Sequence, residues 1–404
     1  MNVVDSPYLL DQLLGLEYYI TPTPFINGVI EFRSRYEDFV VIEVVDQGVK
    51  VSNLKYSLKY RLSEHYVKYR GNAIYLLCKK GLSTHEAVRL FAKRLGIGIS
   101  NIKYLGLKDT NATTCQLIII DRIPYTLPGI VSIDDKVKAL LLGCTEEKPK
   151  LWGNHFIITL RVDLSQENTI DDALEYLANN PYIPSYYGYQ RFGTHRPITH
   201  IIGELLLRGD WCGALNYIIG YPFAFESSNA IYARLCYDKR ELTEALRIFS
   251  EKTNLDLEEK LLNTYMSKNN ETCLQLLKHI PKRLLLLYIS AYQSYVFNRL
   301  LSIYLRSEEF SKLKKMKITV KPGIYNIYDI TDFKVDRPTS IRLLGLHTGS
   351  LKRKALTKVY GLSWTKTYSK DRVAYKITFS LRKGMYATVL LREILKTDPL
   401  VLTG

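Results

Sequence analysis

The stretch from residue 28 to 45, GVIEFRSRYEDFVVIEVV, places β-branched and aromatic residues on both sides of a short polar segment. That pattern predicts a strand, a turn and a second strand. AIYLLCKK (73–80) predicts another strand. After Gly81, STHEAVRLFAKRLG sets Ser83 three residues before Glu86, the spacing of a capping box. An amphipathic helix should open there and stop at Gly96. QLIII (116–120) reads as a buried strand, and KALLLG (138–143) and HFIITLRVDL (155–164) add two more. TIDDALEYLANN (169–180) then takes a helical period. This order of elements predicts an α+β domain built on a sheet.

From about 197 to 307 the pattern turns helical, with runs such as RELTEALRIF and KRLLLLYISAYQSYVFNRLLSIYLR, and mixed basic sequence follows to about 360. RVAYKITFSLRKG (372–384) alternates as a strand does, and YATVLLREILK (386–396) predicts a closing helix. A helical block between two sheet-type blocks predicts one domain interrupted by another.

The 404 residues suffice for two or three domains, and 47% apolar with 24% charged residues is ordinary for a globular chain. The charge balance narrows the function more. Lys plus Arg total 56 against 40 acids, and 56 − 40 gives +16, which favours a polyanionic partner. A membrane partner is not expected, because the longest strongly apolar run, LLLLYI (284–289), is far too short to span a bilayer. Asp5, Asp11 and Glu17 stand where a signal peptide would be basic and then apolar, so a cytoplasmic protein is expected. The six cysteines form no C-x-x-C pair, and several lie in apolar runs, so they are expected to be reduced small hydrophobes. His195 and His200 are off the spacing of a helical metal pair, and no metal site is expected. Among 31 tyrosines a few could stack on bases, while most should be packing residues.

Residues 104–116, YLGLKDTNATTCQ, put Gly106, Lys108 and Asp109 among polar turn formers between two apolar runs. Asp in such a loop is usually structural, bonding its own backbone. It carries function when a scaffold aims it. The loop also fits the pattern Gly-x-Lys-Asp-x-x-Ala-x-Thr-x-Gln, with Gly106, Lys108, Asp109, Ala112, Thr114 and Gln116. In this the chain resembles the TruD family of tRNA pseudouridine synthases, in its archaeal-type form. EDFVVIE (37–43) resembles the family's entry strand. Lys79 or Lys80, with Gly81 and Thr84, resembles its Lys-x-Gly-x-x-Thr segment. GNHF (153–156), YYGYQRFG (186–193), SAYQSYVFN (290–298) and KGMYATVLLREILK (383–396) are similar to further family motifs in the same order. Thr110, Ser185 and Arg382 depart from the family pattern, at positions where a basic residue, Asn and Pro are usual.

The resemblance implies an α+β fold in which a pseudouridine synthase-type catalytic sheet domain is interrupted by an inserted α+β domain. Its parts would be residues 1–196 and 361–404 for the catalytic domain and 197–360 for the insertion. It implies isomerisation of a uridine in tRNA, at position 13 or at position 35 of a tyrosine tRNA, by a monomer with no cofactor and no metal. Asp109 would be the catalytic carboxylate, attacking C6 of the base or C1′ of the ribose, or stabilising the separated intermediate. Arg33 is the first candidate for the cation beside it. Lys108 is its sequence neighbour, and could instead face RNA phosphate or close a structural ion pair. Phe156 would lie beside the flipped base, with Asn154 bonding the base or fixing the loop. Phe39 and Tyr386 would contact the substrate, and Gln190 and Arg191 would bind it or brace the site.

Two other readings use the same residues. A non-catalytic tRNA-binding or RNA-folding protein could keep this fold. A nuclease or glycosidase would want a second acid near Asp109, for which Glu37, Asp38 and Glu43 are available.

Overall fold

The computed structural model describes residues 3–45, 49–50, 72–121, 127–145, 149–193, 195–268, 271–326 and 340–403. They form two compact units. One comprises residues 1–22, 184–356 and 398–403, and the other residues 23–183 and 357–397 with residue 404.

The second unit is built on a mixed eleven-stranded sheet. Its main path runs Tyr360–Ser369, Arg372–Arg382, Leu151–Asp163, Phe39–Val45, Thr113–Ile120, Asn72–Lys80, Val137–Thr145, Ile130–Ile133. Neighbours on this path pair antiparallel except Phe39–Val45 with Thr113–Ile120, which run parallel and align Val40 with Thr113. Parallel neighbours have their entering segments at the same edge of the sheet. The loop before Thr113, which holds Asp109, therefore lies beside the segment before Phe39, which holds Arg33.

The helix Thr84–Leu95 forms as its sequence predicts. Ser83 Oγ accepts from the Glu86 amide, the Glu86 carboxylate accepts from the Ser83 amide, and Gly96 ends the helix at φ +66°. Glycine reaches that left-handed geometry without a Cβ clash. Ala87, Val88, Phe91 and Ala92 bury against Tyr75, Leu77, Ile118 and Ile120 on one face of the sheet. Each large side chain so buried contributes about 1.5–3 kcal/mol. Ile74, Leu117 and Ile119 alternate to the opposite face and pack with Val45 and Leu142.

In the first unit the 26-residue helix Lys282–Ser307 is the central element. Helix Thr199–Arg208 lies close against it because Gly203 has no side chain; a Cβ there would sit 2.1 Å from the Tyr288 carbonyl oxygen. The segment YYGYQRFG packs on the same helix. Tyr186 shares a hydrogen bond with Ser302, the Tyr187 amide donates to Asn298, and Arg191 donates to Ser294 and Ser290. The N-terminal residues are tied in as well. Buried Asp11 accepts from Ser6, Tyr19 and Tyr189, while Asn298 and Ser302 donate to the Leu14 and Gly15 carbonyls. No described helix is long and apolar enough to cross a membrane.

The expectation that all six cysteines are reduced is corrected. Cys78 and Cys115 stand directly opposite each other in the antiparallel pair Asn72–Lys80 and Thr113–Ile120, and form a disulfide. Cys212 and Cys273, in the other unit, form a second. Only Cys144 and Cys236 are free thiols. The partners are 37 and 61 residues apart, and the fold alone makes them neighbours, so local spacing carried no sign of either bond.

Candidate active site

The Asp109 loop is fixed through its backbone. Lys79 is buried, and its ammonium donates to the Asp109 carbonyl at 2.8 Å and to the Leu82 carbonyl at 2.6 Å. Thr84 Oγ1 accepts from the Lys108 amide at 2.9 Å and donates to Gln116, whose side-chain amide reaches the Gly106 carbonyl. The sequence left Lys79 and Lys80 as equal candidates, and the structure separates them. Alternation along the strand sends Lys79 inward to the loop, while partly exposed Lys80 pairs with Glu37.

With the backbone held, the Asp109 carboxylate is left 40% exposed and facing Arg33, at 3.6 Å from Nη2. The Arg33 side chain is only 6% exposed. Its guanidinium lies 4.0 Å from the centre of the Phe39 ring and 5.0 Å from that of Phe32. Burial lowers its pKa, and Asp109 opposes that shift. Its backbone sits at φ +60°, a strained value for a residue other than glycine, and this kind of strain clusters at functional sites. Among the described residues Nε and Nη2 of Arg33 have no hydrogen-bond acceptor. Phe39 and Phe156 pack 6.1 Å apart, and Phe156 stacks on Phe379 at 5.2 Å. An aromatic floor thus underlies a carboxylate paired with a cation.

Lys108 turns away from Asp109. Its ammonium reaches Glu43 at 2.8 Å and the Asn154 side-chain oxygen at 2.9 Å, with 5% and 0% exposure for the two charged side chains. Strand register explains the meeting, because Asn154 stands opposite Glu43 in the ladder. Of the two roles left open for Lys108, the structural ion pair is the one it makes, and Asn154 joins in holding the loop. The acids considered as second catalytic groups are engaged too. Glu43 pairs with Lys108 and Glu37 with Lys80. Asp38 receives two hydrogen bonds from Arg161. Burial would raise the pKa of Asp38, but Arg161 and the Arg35 amide outweigh it and hold the carboxyl below its usual range.

A family model described as tRNA pseudouridine synthase D (TruD) matches residues 13–319. This chain belongs to the TruD family. Among its relatives, a "Probable tRNA pseudouridine synthase D" of Sulfurisphaera tokodaii is 34% identical over 82% of this chain and 87% of its own length. Another of that name from Saccharolobus solfataricus is 33% identical over 98% of this chain and 99% of its own. The crystal structure of the "Putative tRNA pseudouridine synthase D (TruD)" from Methanosarcina mazei superposes with a TM-score of 0.69 at 20% identity, covering 97% of this chain and 99% of that one. The shared fold is the TruD fold, and the family is one of isomerases.

Within this TruD-family chain the remaining candidates lie on other elements. Tyr386 is half-buried at the N-cap of helix Ala387–Leu395. Gln190 is exposed and Arg191 is bonded to serines of helix Lys282–Ser307, both in the other compact unit. Lys79, Thr84 and Gln116 were visible in the sequence only as motif letters, and Phe32 and Phe379 were not singled out at all.

The buried Lys79 ammonium sets a pH dependence. Burial pushes its pKa from 10.5 down to about 8, against the pull of Asp109. Because the folded value is the lower one, the unfolded chain holds the extra proton between about pH 8 and 10.5. This group therefore makes stability rise with pH across that window, by up to about 3 kcal/mol. In denaturant unfolding, wild type should gain on Lys79→Met between pH 7.5 and 10. A stability difference that stays flat with pH would mean the ammonium is not a costly buried charge.

Proposed function

We propose that this chain converts one uridine of a tRNA to pseudouridine, with Asp109 as the catalytic carboxylate. The reaction detaches the base at N1 from C1′ of the ribose and rejoins it through C5, so substrate and product are isomers. No oxidant, reductant or nucleotide is consumed in it, and the reading includes neither cofactor nor metal. The observation that carries the reading is the Asp109–Arg33 pair: an accessible carboxylate facing a buried guanidinium over Phe39, with guanidinium donors left over for a substrate oxygen. Such donors can fork onto a phosphate or a carbonyl.

Each residue then has a task. The target base leaves its stack, at about a few kcal/mol for a paired base, and enters beside Phe156 and Phe39. Asp109 attacks C6 or C1′, or stabilises the separated pieces. Lys108, Glu43 and Asn154 keep the loop in place, and Tyr386 contacts substrate near the closing helix. Gln190 and Arg191 act from the other unit as a brace or an RNA contact. Residues 1–196 and 361–404 serve as the catalytic domain, and residues 197–360 serve as the family's inserted domain. The net charge of +16 suits the polyanionic tRNA. The protein works as a cytoplasmic monomer, and position 13 of tRNA or position 35 of a tyrosine tRNA is its target.

The test is release of tritium from C5-labelled tRNA transcripts by purified protein in excess EDTA, followed by mapping of the modified position. Release at a single uridine supports the reading and names the target. Tight binding with no release from total tRNA would instead point to a non-catalytic RNA-binding protein.

A further inference from the structure

Beyond the Asp109 cluster, the sheet unit carries a second group of side chains suited to RNA. Trp152 is the extra residue of a β-bulge: Leu151 and Gly153 pair with Val45 and Val44, and Trp152 has no counterpart between them. Bulges re-aim side chains and are common beside active sites. The bulge lies two residues before Asn154, about 7 Å along the strand. The neighbouring strand is held tightly here. Gly153 stands opposite Arg382, a Cβ on Gly153 would come within 2.0 Å of the Leu381 carbonyl oxygen, and the Lys383 amide donates to the Trp152 carbonyl.

The guanidinium carbon of Arg382 sits 4.3 Å from the centre of the Trp152 ring. Tyr360 meets that ring edge-on at 5.1 Å, and Lys358 stands 5.7 Å from the centre of Tyr360. Arg382, Lys383 and Lys358 are exposed, and Trp152 and Tyr360 are partly so. Among the described residues none of the three cations has a carboxylate partner. A guanidinium lying near an indole in this way is weakly hydrated and can offer its outer face to a planar base.

We propose that Trp152 and Arg382 form a stacking platform for an unpaired nucleotide that flanks the target uridine, with Lys358 and Lys383 on its phosphates. The inference rests on the reading of this chain as an enzyme acting on RNA. It makes the pair positioning residues for substrate, not catalytic ones.

Wild type, Trp152→Ala, Arg382→Ala and Arg382→Lys would be compared by tritium release and by binding of the unmodified transcript. Both alanine variants should raise KM and Kd about tenfold, the effect of losing one stacked base, with kcat within twofold. Arg382→Lys keeps the charge and loses the planar face, so it should recover only part of the affinity. KM and Kd within twofold of wild type in Arg382→Ala, an exposed site where folding is not at risk, would overturn the platform. So would a fall in kcat at unchanged KM, which would place the effect in the catalytic loop. A wild type that releases no tritium and binds no RNA fails the enzyme reading itself and takes the platform with it.

Discussion

Asp109→Asn should lower tritium release from labelled tRNA by at least about 10³-fold, as expected for a carboxylate on which the proposed chemistry depends, while tRNA affinity stays within about threefold. The asymmetry follows from how the loop is held. Lys79 bonds the carbonyl of residue 109, and Thr84 bonds the amide of residue 108, so neither anchor involves the substituted carboxylate. Asn fills the same space and keeps the backbone contacts. It loses the anion that faces Arg33 at 3.6 Å, and a neutral amide neither attacks nor stabilises the separated pieces as a carboxylate does. Single-turnover release and equilibrium binding on the same transcript separate the two effects. Activity of the variant above a tenth of wild type would remove Asp109 from the chemistry.

The largest stability effect should come from Lys108→Met. The Glu43 carboxylate is fully buried, pairs with Lys108 and accepts the Leu117 amide at 2.8 Å. Removing the ammonium leaves a buried anion uncompensated, a change that costs about 3–5 kcal/mol. Adding Glu43→Gln should recover much of the loss, because the amide is neutral and can still accept from Leu117. Denaturant unfolding of the single and double variants measures the coupling directly. A loss below about 1 kcal/mol in the single variant would mean that the pair behaves as a solvated one. The double variant should remain impaired in activity, since Asn154 has lost the ammonium that holds it.

These two expectations differ in how far they could be read without coordinates. The choice of Asp109 came from the resemblance of its loop to a family motif, and the structure adds how that loop is aimed. The partner of Lys108 was open between RNA phosphate and a structural pair. Deciding it required knowing that Glu43 and Asn154 face each other on adjacent strands. Arg33 was named as a candidate cation, but the ring of Phe32 beside it and its left-handed backbone have no signature in the sequence.

What the sequence by itself determined is what depends on neighbours along the chain. The capping box at Ser83, the stop at Gly96, the apolar strand runs and the helical block from about 197 onward are set by contacts between residues a few positions apart. The tertiary structure alone decided which distant segments meet. It placed two strands in parallel and so joined Arg33 to Asp109, turned Lys79 inward and Lys80 outward, and put Cys78 opposite Cys115. It also packed residues 3–22 with the helical unit, through Asp11 and the carbonyls of Leu14 and Gly15. Periodicity and capping report local free energies. The pairing of strands rests on the total burial and hydrogen bonding of the whole sheet, to which many remote residues contribute and of which no short window holds a record.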